Sequence, residues 1–172
     1  MPARRPAATD TPADAGAHHH ETAIKVLRQF RLVFNTVKAH FQQVEKQVGV
    51  GGAQVWALSV VRDQPGIGVG DLAKAMDIHQ STASNLVKAL VERGLLATEK
   101  GTADRRAVQL RLLPPGARLL KQVPGPFAGI LPSALEQLDD ASLARLHKDL
   151  AKLIALLDAH DKRASRIPLA GL

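Results

Sequence analysis

The sequence has no cysteine and no tyrosine, and one tryptophan among its 172 residues. Without cysteine there is no disulfide, thiolate nucleophile, zinc–thiolate site or thiol-oxidation sensor. Aromatic residues make up 3%, which excludes the broad stacking platforms that hold single-stranded nucleic acid. No apolar run approaches the ~18 residues that would suggest a bilayer span. Arg4 and Arg5 are not followed by an apolar segment, so the N-terminus does not read as a secretory signal. No Gly-rich phosphate loop follows a strand, no His-Glu-x-x-His occurs, and no serine sits in a nucleophile-elbow context. A soluble cytoplasmic protein that is not an enzyme and carries no cofactor is expected.

What is present is a chain of 45% hydrophobic residues with a net charge of +7 and a pI near 10.1. The apolar content, mostly Leu, Val and Ala, suits helix-on-helix packing. The charge favours a polyanionic partner, either nucleic acid or an anionic membrane surface.

Residues 1–21 are rich in Pro, Ala, Thr and Asp without apolar periodicity and read as a disordered tail. Its His18–His20 triplet is plain tail or a metal-binding tract. From Ile24 onward Leu27, Phe30, Phe34, Val37, Phe41, Val44 and Val48 recur at spacings of three and four, one apolar stripe on a long helix. That helix, placed at 22–50, needs a surface to cover it, and a partner subunit supplies one. Residues 51–113 continue as helix, a short extended piece at 67–69, two short helices joined near Asp77–His79, and two strands. Pro114-Pro115-Gly116 breaks the pattern before another helix, and Pro124, Pro126 and Pro132 interrupt the stretch after it. The last helix starts after Asp139 or Asp140 and carries Leu143, Leu146, Leu150, Leu153 and Leu157. Residues 114–164 form this second helical segment and 165–172 a tail.

The order of elements in 51–113 describes a winged helix-turn-helix, whose second turn helix enters the major groove. On "HQSTASNLVKALVERG" Ala83, Leu86, Val87 and Leu90 form the stripe that packs inward. The opposite face carries Gln80, Ser81, Ser84, Asn85 and Lys88, with no acid until Glu92. Amides can pair with adenine, hydroxyls with bases or phosphates, and an ammonium with phosphate or guanine. Between the strands, "GTADRR" puts Arg105 and Arg106 on a hairpin suited to the minor groove, where a narrow groove attracts arginine. Asp104 pairs with one of them and holds the wing in shape.

The runs "LAKAMDIHQSTASNLVKALVERGLL" and "DRRAVQLRLLPPGARLL" resemble the MarR family of bacterial transcriptional regulators, over residues 22–160. The wing Asp-Arg-Arg, the alternating strand after it and the glycine beyond are the most specific part. The resemblance implies a mainly α fold with a small β wing, in which the terminal helices of two subunits interlock as a dimerisation domain. It implies DNA binding by Gln80, Ser81, Ser84, Asn85, Lys88, Arg105 and Arg106, on a pseudo-palindromic operator, in a protein that joins the nucleoid when bound. His79 stands where the family usually has a Ser or Thr cap, and Asn85 where a basic residue is common, which argues for adenine reading there.

The resemblance also implies a repressor released by a small phenolic or aromatic acid lodged between the dimer helices and the DNA-binding lobe. Arg31, Phe34, His40, Phe41 and Trp56 could line that site, with Arg31 pairing the anion. The competing readings for Phe34, Phe41 and Trp56 are ordinary core, and for the whole chain a metal-responsive or ligand-independent regulator, or an activator.

Overall fold

A computed structural model of the chain describes residues 12–100, 108–157 and 164–169. The chain divides into two compact units, one ending at Thr36 and the other beginning at Val37.

Helix α1, Pro12–Val48, is 37 residues long. It begins about ten residues before the apolar stripe does, so that residues 12–21 are helix and not the tail expected there. Proline suits the first helical position, and the Ala-rich stretch after it is helix-favouring without being amphipathic. In the first unit the Phe30 and Phe34 rings stack at 6.4 Å. Leu27, Leu32, Val33 and Phe34 are exposed, Phe34 by 56%. Beyond Thr36 the same stripe is covered: Val37 and Val44 are buried.

The second unit is built around α2 (Gly52–Asp63), α3 (Val69–Ala75) and α4 (Gln80–Glu92). Strand β1 (Leu96–Lys100) pairs antiparallel with β2 (Val108–Leu112), Leu96 opposite Leu112 and Lys100 opposite Val108. The extended piece before α3 adds to the far edge of β2 through Gly66 N–H to Leu110 O at 3.2 Å and Leu110 N–H to Ile67 O at 2.9 Å. Leu58, Leu72, Met76, Leu90, Leu96 and Leu110, one or two from each element, are fully buried together. On β2, Leu110 is buried and Leu112 half-buried, but Val108 is exposed. Val108 lies at the strand's outer end, away from the core.

Helix α4 ends in a Schellman motif. Leu95 N–H reaches Leu90 O and Gly94 N–H reaches Val91 O, both at 2.9 Å, with Gly94 at φ +66 and Leu90 and Leu95 buried. Prolines expected to break the chain start helices instead. Helix α5 is Pro114–Gln122, with prolines in its first two positions, and α6 is Ile130–Glu136, with Pro132 third. First-turn N–H groups have no intrahelical acceptor, so their loss costs little there.

Helix α7, Asp140–Leu156, is capped by Asp139, which accepts from Ser142 N–H at 2.9 Å. Hydrogen bonding to Ser142, side chain first and then backbone, holds the Asp139 carboxyl below its ordinary value. Its contribution to α7 is therefore complete above the usual carboxylate range and lost as pH falls through the lowered value. No residue of α7 is buried. A 3-10 turn at Ala164–Arg166 closes the described chain.

Candidate nucleic-acid interface

The two faces of α4 differ sharply. Ala83, Val87 and Leu90 are buried, and Leu86 is half-buried. Gln80, Ser81, Ser84, Asn85 and Lys88 are all exposed, on the side the hydrophobic stripe leaves free. The Ser84 hydroxyl donates to the Gln80 carbonyl at 2.8 Å. Lys88 and Glu92 are 4.0 Å apart and largely exposed, a solvated pair that leaves the ammonium available at little cost. The first turn of α4 contains no acid, so its N–H groups and positive dipole end face outward unopposed.

Two features fix this helix. The turn from α3 carries Asp77 at φ +49, with Met76 and Ile78 buried on either side. At the other end, Arg93 donates to the Gly49 carbonyl at 2.6 Å, tying the end of α4 to the α1–α2 corner. His79 occupies the cap position but makes no side-chain cap hydrogen bond. Its Nε2 is buried without a partner among the described residues.

The wing residues Asp104, Arg105 and Arg106 lie outside the described residues, in the segment joining the paired ends of β1 and β2. On the described strands an exposed Glu99–Arg111 ion pair bridges β1 and β2. His18, His19 and His20 are exposed on α1, and no cluster of three metal-ligating side chains occurs among the described residues. No described helix is long and apolar enough to cross a membrane.

The suggested effector residues separate. Arg31 and Phe34 belong to the first unit and are exposed. Phe41 and Trp56, in the second, line a cavity of about 110 Å³ with Val37 and Gly52. His40 meets the Phe41 ring edge-on at 5.4 Å and is not part of the lining. Phe127, Leu131, Pro168 and Leu169 complete the opposite wall. None of these four was legible as a site residue, because distant segments meet there and no local pattern marks the meeting. Phe127 also carries the Arg62 guanidinium 5.0 Å from its ring centroid, and Arg62 is held in turn by Asp63 at 2.7 Å.

A helix-turn-helix with a two-stranded hairpin behind it, presenting an acid-free polar helix face, defines a winged-helix DNA-binding regulator. Comparison with known proteins takes this further. The MarR family model matches residues 48–107. A chain of Thauera aromatica assigned to transcriptional regulation of the hcr operon is 28% identical over 155 residues, 90% of this chain and 83% of its own. The transcriptional repressor MdtR of Bacillus subtilis is 25% identical, over 71% of this chain and 78% of its own. BpsR of Bordetella bronchiseptica, solved in a study of how 6-hydroxynicotinic acid regulates its DNA binding, superposes with a TM-score of 0.51. It is 28% identical over 74% of this chain and 91% of its own. The helix-turn-helix segment thus matches the MarR family model, and the relatives that share most of the chain's length are transcriptional regulators.

Proposed function

We propose that the protein is a homodimeric repressor of the bacterial cytoplasm, bound to a pseudo-palindromic operator and released when a small aromatic molecule occupies the cavity beside Trp56. The observation that carries the DNA half is the exposed row Gln80, Ser81, Ser84, Asn85 and Lys88 on a helix whose other face is locked into the core. Two-fold symmetry would set two such helices about one turn of DNA apart, ~10 base pairs centre to centre. The likeness to MdtR, which is named a repressor, and to BpsR, whose DNA binding responds to an aromatic acid, supports the regulatory half.

Fluorescence anisotropy on operator and random duplexes at two salt concentrations tests this. Lys88→Ala is expected to weaken binding on every sequence and to flatten the salt dependence, as loss of a phosphate contact does. Asn85→Ala is expected to relax preference at one base position by about 1–3 kcal/mol. An unchanged site-selection profile for Asn85→Ala would remove direct base reading by that residue.

The wing gives a second test. Asp104 can satisfy one guanidinium well, so Arg105→Ala and Arg106→Ala are expected to differ. The reader, which family resemblance makes Arg106, loses most affinity on A·T-rich flanks, where the minor groove is narrow. Loss of the strut lowers affinity on all flanks, and Asp104→Ala reproduces it. Equal losses indifferent to the flanks would reduce the wing to generic phosphate contacts.

A further inference from the structure

We infer that the cavity beside Trp56 takes a single uncharged ring, not an aromatic acid, and that the chain's own C-terminal segment forms its movable wall. The inference rests on the effector reading above and narrows it.

Size comes first. At about 110 Å³ the space compares with an engineered protein cavity of ~150 Å³ that stays dry and binds benzene. The space is on the scale of a single ring.

Charge comes second. Val37, Phe41, Trp56, Phe127, Leu131 and Leu169 supply the walls, and no ionisable side chain is among the described lining residues. A carboxylate moved into such a space leaves its water behind and finds no cation among the described lining residues, a penalty an apolar ring does not meet. The Arg62 guanidinium over the Phe127 ring is already engaged by Asp63 through two hydrogen bonds of 2.7 and 3.0 Å.

The walls also differ in freedom. A Cβ on Gly52 would lie 2.1 Å from the Phe41 ring, and one on Gly129 would lie 2.8 Å from it. The two glycines therefore grip Phe41 closely, and that side of the cavity is rigid. Leu169, on the opposite side, is 39% exposed, against 7% for Val37. It belongs to the short segment 164–169, which has only a single 3-10 turn of its own. A ring enters most easily by displacing Pro168 and Leu169.

Trp56 is the chain's single tryptophan and lines the space, so its emission reports occupancy without DNA. Full-length protein is titrated at pH 7.5 with benzyl alcohol and with benzoate, which share a ring and differ in charge. Benzyl alcohol is expected to shift Trp56 emission saturably, with benzoate at least tenfold weaker. Ala128 also lines the space, and Ala128→Leu, which fills it, is expected to abolish the response. Truncation after residue 163 is expected to speed ligand dissociation at least tenfold by stopped flow. Should the truncated chain lose its helical circular dichroism, the double variant Pro168→Ala, Leu169→Ala makes the same test.

Benzoate binding as tightly as benzyl alcohol would overturn the assignment of charge, and unchanged dissociation would overturn the movable wall. Silence of Trp56 to both probes would overturn the site altogether. Operator anisotropy with and without benzyl alcohol separates the two levels. Saturable binding with unchanged DNA affinity sinks the effector reading and leaves the ligand chemistry standing.

Discussion

Leu150→Glu is expected to leave no dimer and no measurable operator binding at micromolar protein, and Phe34→Glu to do the same. Helix α7 buries none of its residues within one chain. Leu143, Leu146, Leu153 and Ile154 stand open around Leu150, Ile154 by 51%. A 17-residue helix with an apolar stripe facing water has little to hold it, since most helical stability in proteins comes from packing such a face. Covering the stripe with a second copy puts residue 150 of both chains in the covered region, because a two-fold interface repeats every substitution. An unpaired carboxylate there costs roughly 3–5 kcal/mol. Taken twice, even with partial relief, roughly 6 kcal/mol weakens association by about four decades. DNA binding then falls with it, since the second half-site no longer acts at high local concentration. Sedimentation and anisotropy measure both, with Leu150→Met as the control that retains volume. A stable, folded monomer of the unmutated chain at micromolar concentration would sink the coupling.

Gly116→Val is expected to be the most damaging single change at a residue that touches neither DNA nor ligand. A Cβ on Gly116 would sit 2.5 Å from the Leu95 carbonyl oxygen and 2.8 Å from Leu112 Cδ1. The leucine methyl can rotate away; the carbonyl cannot. It accepts from Leu113 N–H at 3.1 Å, so moving it strips a buried bond worth roughly 1–3 kcal/mol when broken. Against this, alanine in place of glycine within a helix gains about 1 kcal/mol. Sterics win: Gly116→Ala is expected to lose about 1–2 kcal/mol net. Valine adds a branched group in the same space and forgoes part of the propensity gain, for roughly 3–4 kcal/mol. At about 2–4 °C per kcal/mol for a chain of this size, thermal unfolding separates the two variants. A Gly116→Ala protein as stable as the parent would show that α5 can slide off β1.

What the sequence made legible, and what it hid, divides along physical lines. The α4 stripe and an aspartate cap for α7 at Asp139 or Asp140 were readable because periodicity and capping are local chemistry. The start of α1 was hidden, because residues 12–21 form helix without an apolar stripe and periodicity reports only packing. Pro132 concealed α6, since a first-turn proline and a helix-breaking proline look alike until the register is known. Among the cavity walls, Phe41 and Trp56 stood out as aromatics in an aromatic-poor chain. Phe127, Pro168 and Leu169 did not, because their role exists only once residues far apart in sequence have met. His79 was readable as an odd cap, whereas the burial of its Nε2 was not.

The hydrogen bond from Ser84 to the Gln80 carbonyl has a consequence for the grammar of anything laid along α4. A hydroxyl owns one proton, and this one is committed inward. Toward an approaching duplex Ser84 has lone pairs alone to offer. Phosphate oxygens, which also bring only lone pairs, gain nothing from it. The partners it suits are the exocyclic amino groups of adenine and cytosine, the two proton donors on the major-groove floor. With that bond kept, Ser84 would favour those donors over phosphate in any duplex laid along α4.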